Sequence, residues 1–380
     1  MIYLDNNAST KMDPEVAAAM DGAAGLYGNP SSVHGEGRRA RRAIEEARDE
    51  VARLIGAAPE EVFFTSGGTE SNALAILGAA GSRPGRVVSS GAEHPSVREA
   101  VDRLAREGRE TIAVNPEPSG ALDSGRVLAA AGPGTLLVTL MAANNEYGGL
   151  FPIPELGPAV RAGGALFHTD AAQAAGRIPI DVGAWDVDLL TLSAHKFHGP
   201  KGVGALYVRR GVALRAHTPG GGQEKKLRGG TENTAGILGL GVAARLARDR
   251  LHESAGISNR RDRLEKGILA AVEGARAVAA GGPRLPNTSA ILFDGLPGEA
   301  LLVRLDLEGV AVSVGSACSS GTLAPSPAIL SLGVPPAQAK CVVRFSLSRL
   351  TTSEEIDRAL EIVSRVVAEA RLTAHGSRLA

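Results

Sequence analysis

The feature that most constrains this sequence is a series of short apolar runs, each separated from the next by a helical pattern. Glu61-Val62-Phe63-Phe64-Thr65 reads as a strand and is followed by a helix from about 69 to 77. Further runs lie at 87–88, 136–141, 165–168, 189–192 and 204–208. Continuous apolar strands separated by helices predict a mostly parallel sheet buried on both faces, flanked by helices, which is an α/β layer architecture. Before them, Ala43, Ile44, Ala47, Val51, Leu54 and Ile55 share one helical face, and Gly56 ends the pattern.

Beyond about residue 250 the character changes. A long helical stretch leads to strand candidates at 289–293, 310–314 and 341–347. A last helix opens with Thr352-Ser353-Glu354-Glu355, a capping-box spacing. A chain of 380 residues exceeds one ordinary core. We therefore expect a large domain over 16–250 and a smaller α+β domain built from 1–15 and 251–380.

In open α/β sheets, ligands bind beyond the carboxyl ends of the strands. Two neighbouring strands here run into Thr169-Asp170 and into Ser193-Ala194-His195-Lys196-Phe197-His198-Gly199. Pyridoxal phosphate needs such a pair: a lysine to bond its aldehyde carbon and a carboxylate to keep its pyridine nitrogen protonated. Alone, an Asp and a Lys at strand ends also read as a salt bridge or as surface charges. The chain has only seven lysines among 41 basic residues, however, so compositional preference does not explain Lys196. Thr65-Ser66-Gly67-Gly68-Thr69-Glu70-Ser71-Asn72, between a strand and a helix, would seat a phosphate on free helix N–H groups, with Thr69, Ser66 or Ser193 adding hydroxyls. In isolation it reads equally well as a turn with an N-cap.

Net charge is zero, so an anionic ligand must be held by a local site. Arg38, Arg39, Arg41 and Arg42 fall in an amphipathic helical pattern and read as a solvated face, not a nucleic-acid patch. Cys318 and Cys341 are the only cysteines and lack metal-ligand spacing, which excludes a disulfide framework and favours a reducing, cytoplasmic compartment. Neither a signal peptide nor a membrane-spanning run is legible, and no metal or membrane contact is expected.

At this point the motifs resemble those of a known family. Tyr3-Leu4-Asp5-Asn6-Asn7-Ala8-Ser9-Thr10, Gly28-Asn29-Pro30-Ser31-Ser32-Val33-His34 and Ser66-Gly67-Gly68-Thr69-Glu70-Ser71-Asn72 open the likeness. Asn144-Asn145-Glu146, His168-Thr169-Asp170-Ala171-Ala172-Gln173, Ser193-Ala194-His195-Lys196 and Arg228-Gly229-Gly230-Thr231-Glu232-Asn233 continue it. Gly315-Ser316-Ala317-Cys318-Ser319-Ser320-Gly321 and Val343-Arg344-Phe345-Ser346-Leu347-Ser348 complete it. Running in order from residue 3 to about 357, they resemble the NifS/IscS-type cysteine desulfurases. These belong to the class V aminotransferase group of fold-type I pyridoxal-phosphate enzymes.

The resemblance implies roles position by position. Lys196 would bond the cofactor as a Schiff base, Asp170 would pair with the pyridine nitrogen, and His94 would stack on the ring and share in catalysis. Asn145 and Gln173 would hydrogen-bond the phenolic oxygen or its surroundings, with Asn145 also reaching substrate. Gly68, Thr69, Ser193 and His195 would hold the phosphate. Thr231 would reach the phosphate of a partner subunit's cofactor, making a homodimer necessary. Arg344 would clamp the substrate carboxylate. Bland readings stand beside these: His94 as a loop histidine, Asn145 as a turn cap, Arg344 as half of a structural ion pair. An arginine between Val343 and Phe345 does need a buried anion.

Small polar neighbours around Cys318 predict an accessible loop thiol suited to receive sulfur and pass it on. Cys341, opening an apolar run, reads as an inert small hydrophobe. Ala324 stands where a glutamate is common in the family, which bears on acceptor choice. The expected reaction converts L-cysteine to L-alanine, leaves a persulfide on Cys318, and hands the sulfur to an acceptor protein such as an iron–sulfur scaffold or a tRNA-thiolation protein. Selenocysteine lyase, or another lyase or aminotransferase of the same fold, is a second reading that the Cys318 loop argues against. A catalytically silent scaffold is a third, and the intact set of Asp170, Gln173, His195, Lys196 and Cys318 argues against it.

Overall fold

The computed structural model describes residues 1–81, 83–315 and 324–376. Strand β1 (Ile2–Tyr3) precedes helices α1 (Pro14–Gly22) and α2 (Gly35–Ile55). Then come β2 (Val62–Thr65), α3 (Gly68–Ala80), β3 (Arg86–Ser90), α4 (Pro95–Arg106), β4 (Thr111–Val114) and β5 (Thr135–Met141). Strands β6 (Leu166–Asp170), β7 (Leu189–Ser193) and β8 (Gly204–Val208) complete a seven-stranded sheet of order β2-β8-β7-β6-β5-β3-β4. Strands β4, β3, β5, β6 and β7 pair in parallel, while β8 is antiparallel to both β7 and β2. Only β8 therefore runs against the rest. Every residue of β7 and β8 is buried, as strands covered on both faces require.

Helix α2 shows how sequence becomes packing. His34 caps its first turn through a side-chain nitrogen, and Ala40, Ile44, Ala47, Val51 and Ile55 line its buried face. Gly56 ends it with a left-handed φ of 69°, a conformation glycine adopts without steric penalty. The buried face joins the large core together with Ile237, Leu240 and Ala244 of the helix Thr234–Asp249.

A second core has its own sheet. Strands β9 (Ala275–Ala277) and β10 (Thr288–Phe293) pair antiparallel, and β10 pairs antiparallel with β12 (Val342–Ser346). The short β11 (Val310–Ala311) lies parallel to β1, which brings the N-terminal Ile2 and Leu4 into this core. Ownership of the chain passes between the cores around the turn Leu251–Glu253. Leu246 packs in the large core, whereas Ile257 of the helix Ser254–Ala271 packs in the small one. Asp13, the N-cap of α1, binds Arg250 at 2.9 Å and also Arg349, tying the two together.

Candidate active site

The carboxyl ends of β2, β3, β5, β6 and β7 share one edge of the large sheet, and the polar loops leaving them enclose a cavity of about 340 Å³. Of the residues singled out in the sequence, Gly68, Thr69, His94, Asn145, Asp170, Gln173, Ser193, His195 and Lys196 all line it. Thr231 is exposed and does not line this chain's cavity. Arg344 is buried but also lies off the lining. Cys318 falls outside the described residues.

Helix α3 begins on the cavity wall with no side-chain cap, and Gly67 before it has φ 153°, outside the range of L side chains. The first N–H groups of α3 thus have no side-chain acceptor among the described residues, a donor set suited to a phosphate. A Cβ on Gly68 would lie 3.3 Å from the Ser193 Cβ, so the loop after β7 packs close against this helix start. His195 is held neutral, its pKa pushed down to about 4 by burial and then by Lys196 and Lys201.

Asp170, the last residue of β6, accepts from the Asn72 side chain at 2.7 Å and from the Ala172 backbone N–H at 2.9 Å. Lys196 leaves β7 in a single 3₁₀ turn, and its Nζ donates to the carbonyls of Asn7 at 2.6 Å and Ala8 at 2.9 Å. The Gln173 amide is spanned: Nε2 donates to Asn7 O at 2.9 Å, and Oε1 accepts from Arg177 at 2.6 Å. His94 caps α4 through Nδ1, and burial lowers its pKa, with Lys196 and Arg98 adding to the effect and Asp170 opposing it.

Arg344 is supplied with an anion by the chain itself. Alternation along β12 sends Val343 and Phe345 into the small core and turns Arg344 the other way. There Nη2 meets Asp5 at 2.7 Å, Nη1 donates to the Asn145 carbonyl at 2.9 Å, and the buried Nε has no acceptor among the described residues. Cys341 precedes β12, is buried, and donates to the Ala337 carbonyl, with burial and then Asp294 raising its thiol pKa.

Sequence reasoning missed the supporting residues. Asn7, Asn72 and Glu70 all occur in the motifs quoted above, yet their partners lie far along the chain. Asn7 receives Lys196 and Gln173, Asn72 holds Asp170, and Glu70 binds Arg228 at 3.0 Å while accepting from Ser66 N–H. Their position inside motifs was the only available signal. Ser96 and Lys201, which also line the cavity, gave none.

Comparison with known proteins agrees with this architecture. The Aminotransferase class-V family profile matches residues 2–359. A cysteine desulfurase of Cereibacter sphaeroides is 47% identical over 375 residues, 97% of this chain and 96% of that protein. The cysteine desulfurase NifS of Azotobacter vinelandii is 44% identical, over 97% of this chain and 93% of its own length. A solved NifS-like protein superposes with a TM-score of 0.89 at 34% identity, covering 97% and 99% of the two chains. The chain belongs to the class-V aminotransferase family.

Proposed function

We propose that this protein is a pyridoxal-phosphate-dependent cysteine desulfurase, releasing L-alanine from L-cysteine and receiving the sulfur on Cys318. One observation carries the reading. A lysine, a carboxylate with two donors of its own, a capping histidine and an uncapped helix N-terminus converge on one cavity in a chain closely related to cysteine desulfurases. When bound, pyridoxal phosphate supplies an electron sink for negative charge developing on the carbon that bears the substrate amine.

The chain's own groups do the rest. The start of α3, with Thr69, Ser193 and His195, holds the phosphate. Asp170, oriented by the donors of Asn72 and the Ala172 N–H, would face the pyridine nitrogen and keep a proton there. His94 would cover the ring, and Asn145 and Gln173 would hydrogen-bond its phenolic oxygen or its surroundings; all three line the cavity. Lys196 would anchor the cofactor, and its Nζ would take the α-proton of the substrate. Arg344 receives the substrate carboxylate; its buried Nε, with no acceptor among the described residues, supports this. The Cys318 thiolate attacks the substrate sulfur, so that an S–S bond forms as the C–S bond breaks.

We further propose a homodimer, in which Thr231 serves the partner's cofactor. Its exposure away from its own cavity supports that role. A sulfur-accepting protein of iron–sulfur or tRNA-thiolation type would take the persulfide in the cytoplasm, and zero net charge speaks against direct nucleic-acid contact. The test is Lys196→Ala. The yellow band of the purified protein and the borohydride-reducible adduct should both vanish; survival of both refutes the assignment.

A further inference from the structure

Asn72 is buried on α3 and spends both hydrogens of its side-chain amide. One goes to Asp170 Oδ2 at 2.7 Å, the other to Ser96 Oγ at 2.8 Å. Its Oδ1 has no partner among the described residues, but turning the amide over would set that oxygen against the Asp170 carboxylate, so the donor orientation is fixed by chemistry. Ser96 Oγ, having accepted from Asn72, points its own hydrogen at His94 Nδ1, 2.7 Å away. The Ser96 backbone N–H reaches the same nitrogen at 3.1 Å. With donors on that side alone, Nδ1 carries a lone pair and the ring proton sits on Nε2.

We propose that Asn72 and Ser96 are positioning residues that tie the Asp170 carboxylate to the His94 imidazole. They fix the first as the acceptor of the Asn72 amide and the second as the tautomer protonated on Nε2. This rests on the function proposed above, in which Asp170 and His94 both touch the cofactor. The link makes them one unit: the carboxylate orients the amide, the amide orients the hydroxyl, and the hydroxyl holds the imidazole neutral. The other charged groups facing His94 are Lys196, from the turn after β7, and Arg98, on its own helix, both of which also disfavour the imidazolium.

Protein labelled with ¹⁵N-histidine tests the link. The His94 signal is identified by its loss in His94→Gln and followed against pH with pyridoxal phosphate bound and after its removal. We expect the Nε2–H tautomer and a titration midpoint on the acid side of an ordinary histidine. Ser96→Ala deletes the hydroxyl and keeps the backbone donor, so the midpoint should rise by about one pH unit, the worth of one hydrogen bond. Ser96→Thr should restore it, which a role in helix packing alone does not predict. Asn72→Leu, which keeps the side-chain bulk, should shift the pH profile of the bound cofactor's visible band in the same protein. A wild-type proton on Nδ1, or a Ser96→Ala midpoint that does not move, overturns the link. A His94 signal indifferent to added pyridoxal phosphate overturns instead the placement of the cofactor, so the two failures are read from separate titrations.

Discussion

Glu224 offers a quantitative test of how the rim of the site is held. Its carboxylate is buried and accepts three hydrogen bonds, from Arg48 Nη1, Arg48 Nη2 and the Phe64 backbone N–H, each at 2.9 Å. It joins α2 and β2 to a turn in which Glu224, Lys225 and Lys226 all have positive φ, at 44°, 54° and 68°. Two residues on, Arg228 reaches Glu70 in the first turn of α3, so the turn braces the helix start expected to hold the phosphate. Glu224→Ala strands a buried guanidinium, a loss of about 3–5 kcal/mol. Arg48 keeps Glu45 and the Val62 carbonyl, which points to the lower end, and the orphaned Phe64 N–H adds about 1 kcal/mol. We expect a total of about 4 kcal/mol. Urea unfolding followed by the fluorescence of Trp185, a residue of the large core, measures it. The paired change Arg48→Met with Glu224→Leu should recover most of the loss, because no buried charge is left unmatched. A single-variant loss below about 1 kcal/mol refutes the reasoning.

Glu93, wholly buried beside His94, has its pKa raised from 4.5 to about 8 by burial, with Asp170 adding to the shift and the bonds from Ser90 and Met141 opposing it. The folded chain therefore keeps a proton that the unfolded chain releases. The associated stability is full below pH 4.5 and is lost as pH rises to about 8. Glu93→Gln should gain on the wild type steadily between pH 5 and about 8 in urea midpoints, and a gap that stays constant over that range contradicts this. Cys318→Ser should bind cofactor and L-cysteine yet release no alanine above background. Cys341→Ser should keep most turnover and lose at most about 1–3 kcal/mol for its buried hydroxyl. Full activity in the first beside loss in the second would reverse the two assignments.

What the sequence made legible were groups whose chemistry is meaningful one residue at a time. Strands β2, β3, β5, β6, β7 and β8 each showed as a continuous apolar run, and the polar residues just beyond the carboxyl ends of β2, β3, β5, β6 and β7 line the cavity. Strand β4 was missed because its apolar run, Ile112-Ala113-Val114, is only three residues long and sits in a partly buried edge strand. The reversal of β8 was missed because strand direction depends on the pairing partner, which periodicity does not encode. The same limit applies inside the site. Asn72 gains its role from Ser96 and Asp170, which lie 24 and 98 residues away. Arg344 shows the boundary most sharply. An arginine between two apolar strand residues demands a buried anion, and that much was readable locally. Which anion satisfies it is a matter of register between the two ends of the chain. Asp5 bridges to Ser346 beside β12 and so brings its carboxylate to Arg344 from 339 residues away. In the role proposed for Arg344, a substrate carboxylate would meet a guanidinium whose two Nη atoms are already engaged. Binding in that role would therefore be an exchange of partners or a use of Nε, which has no acceptor among the described residues, rather than the filling of an empty clamp.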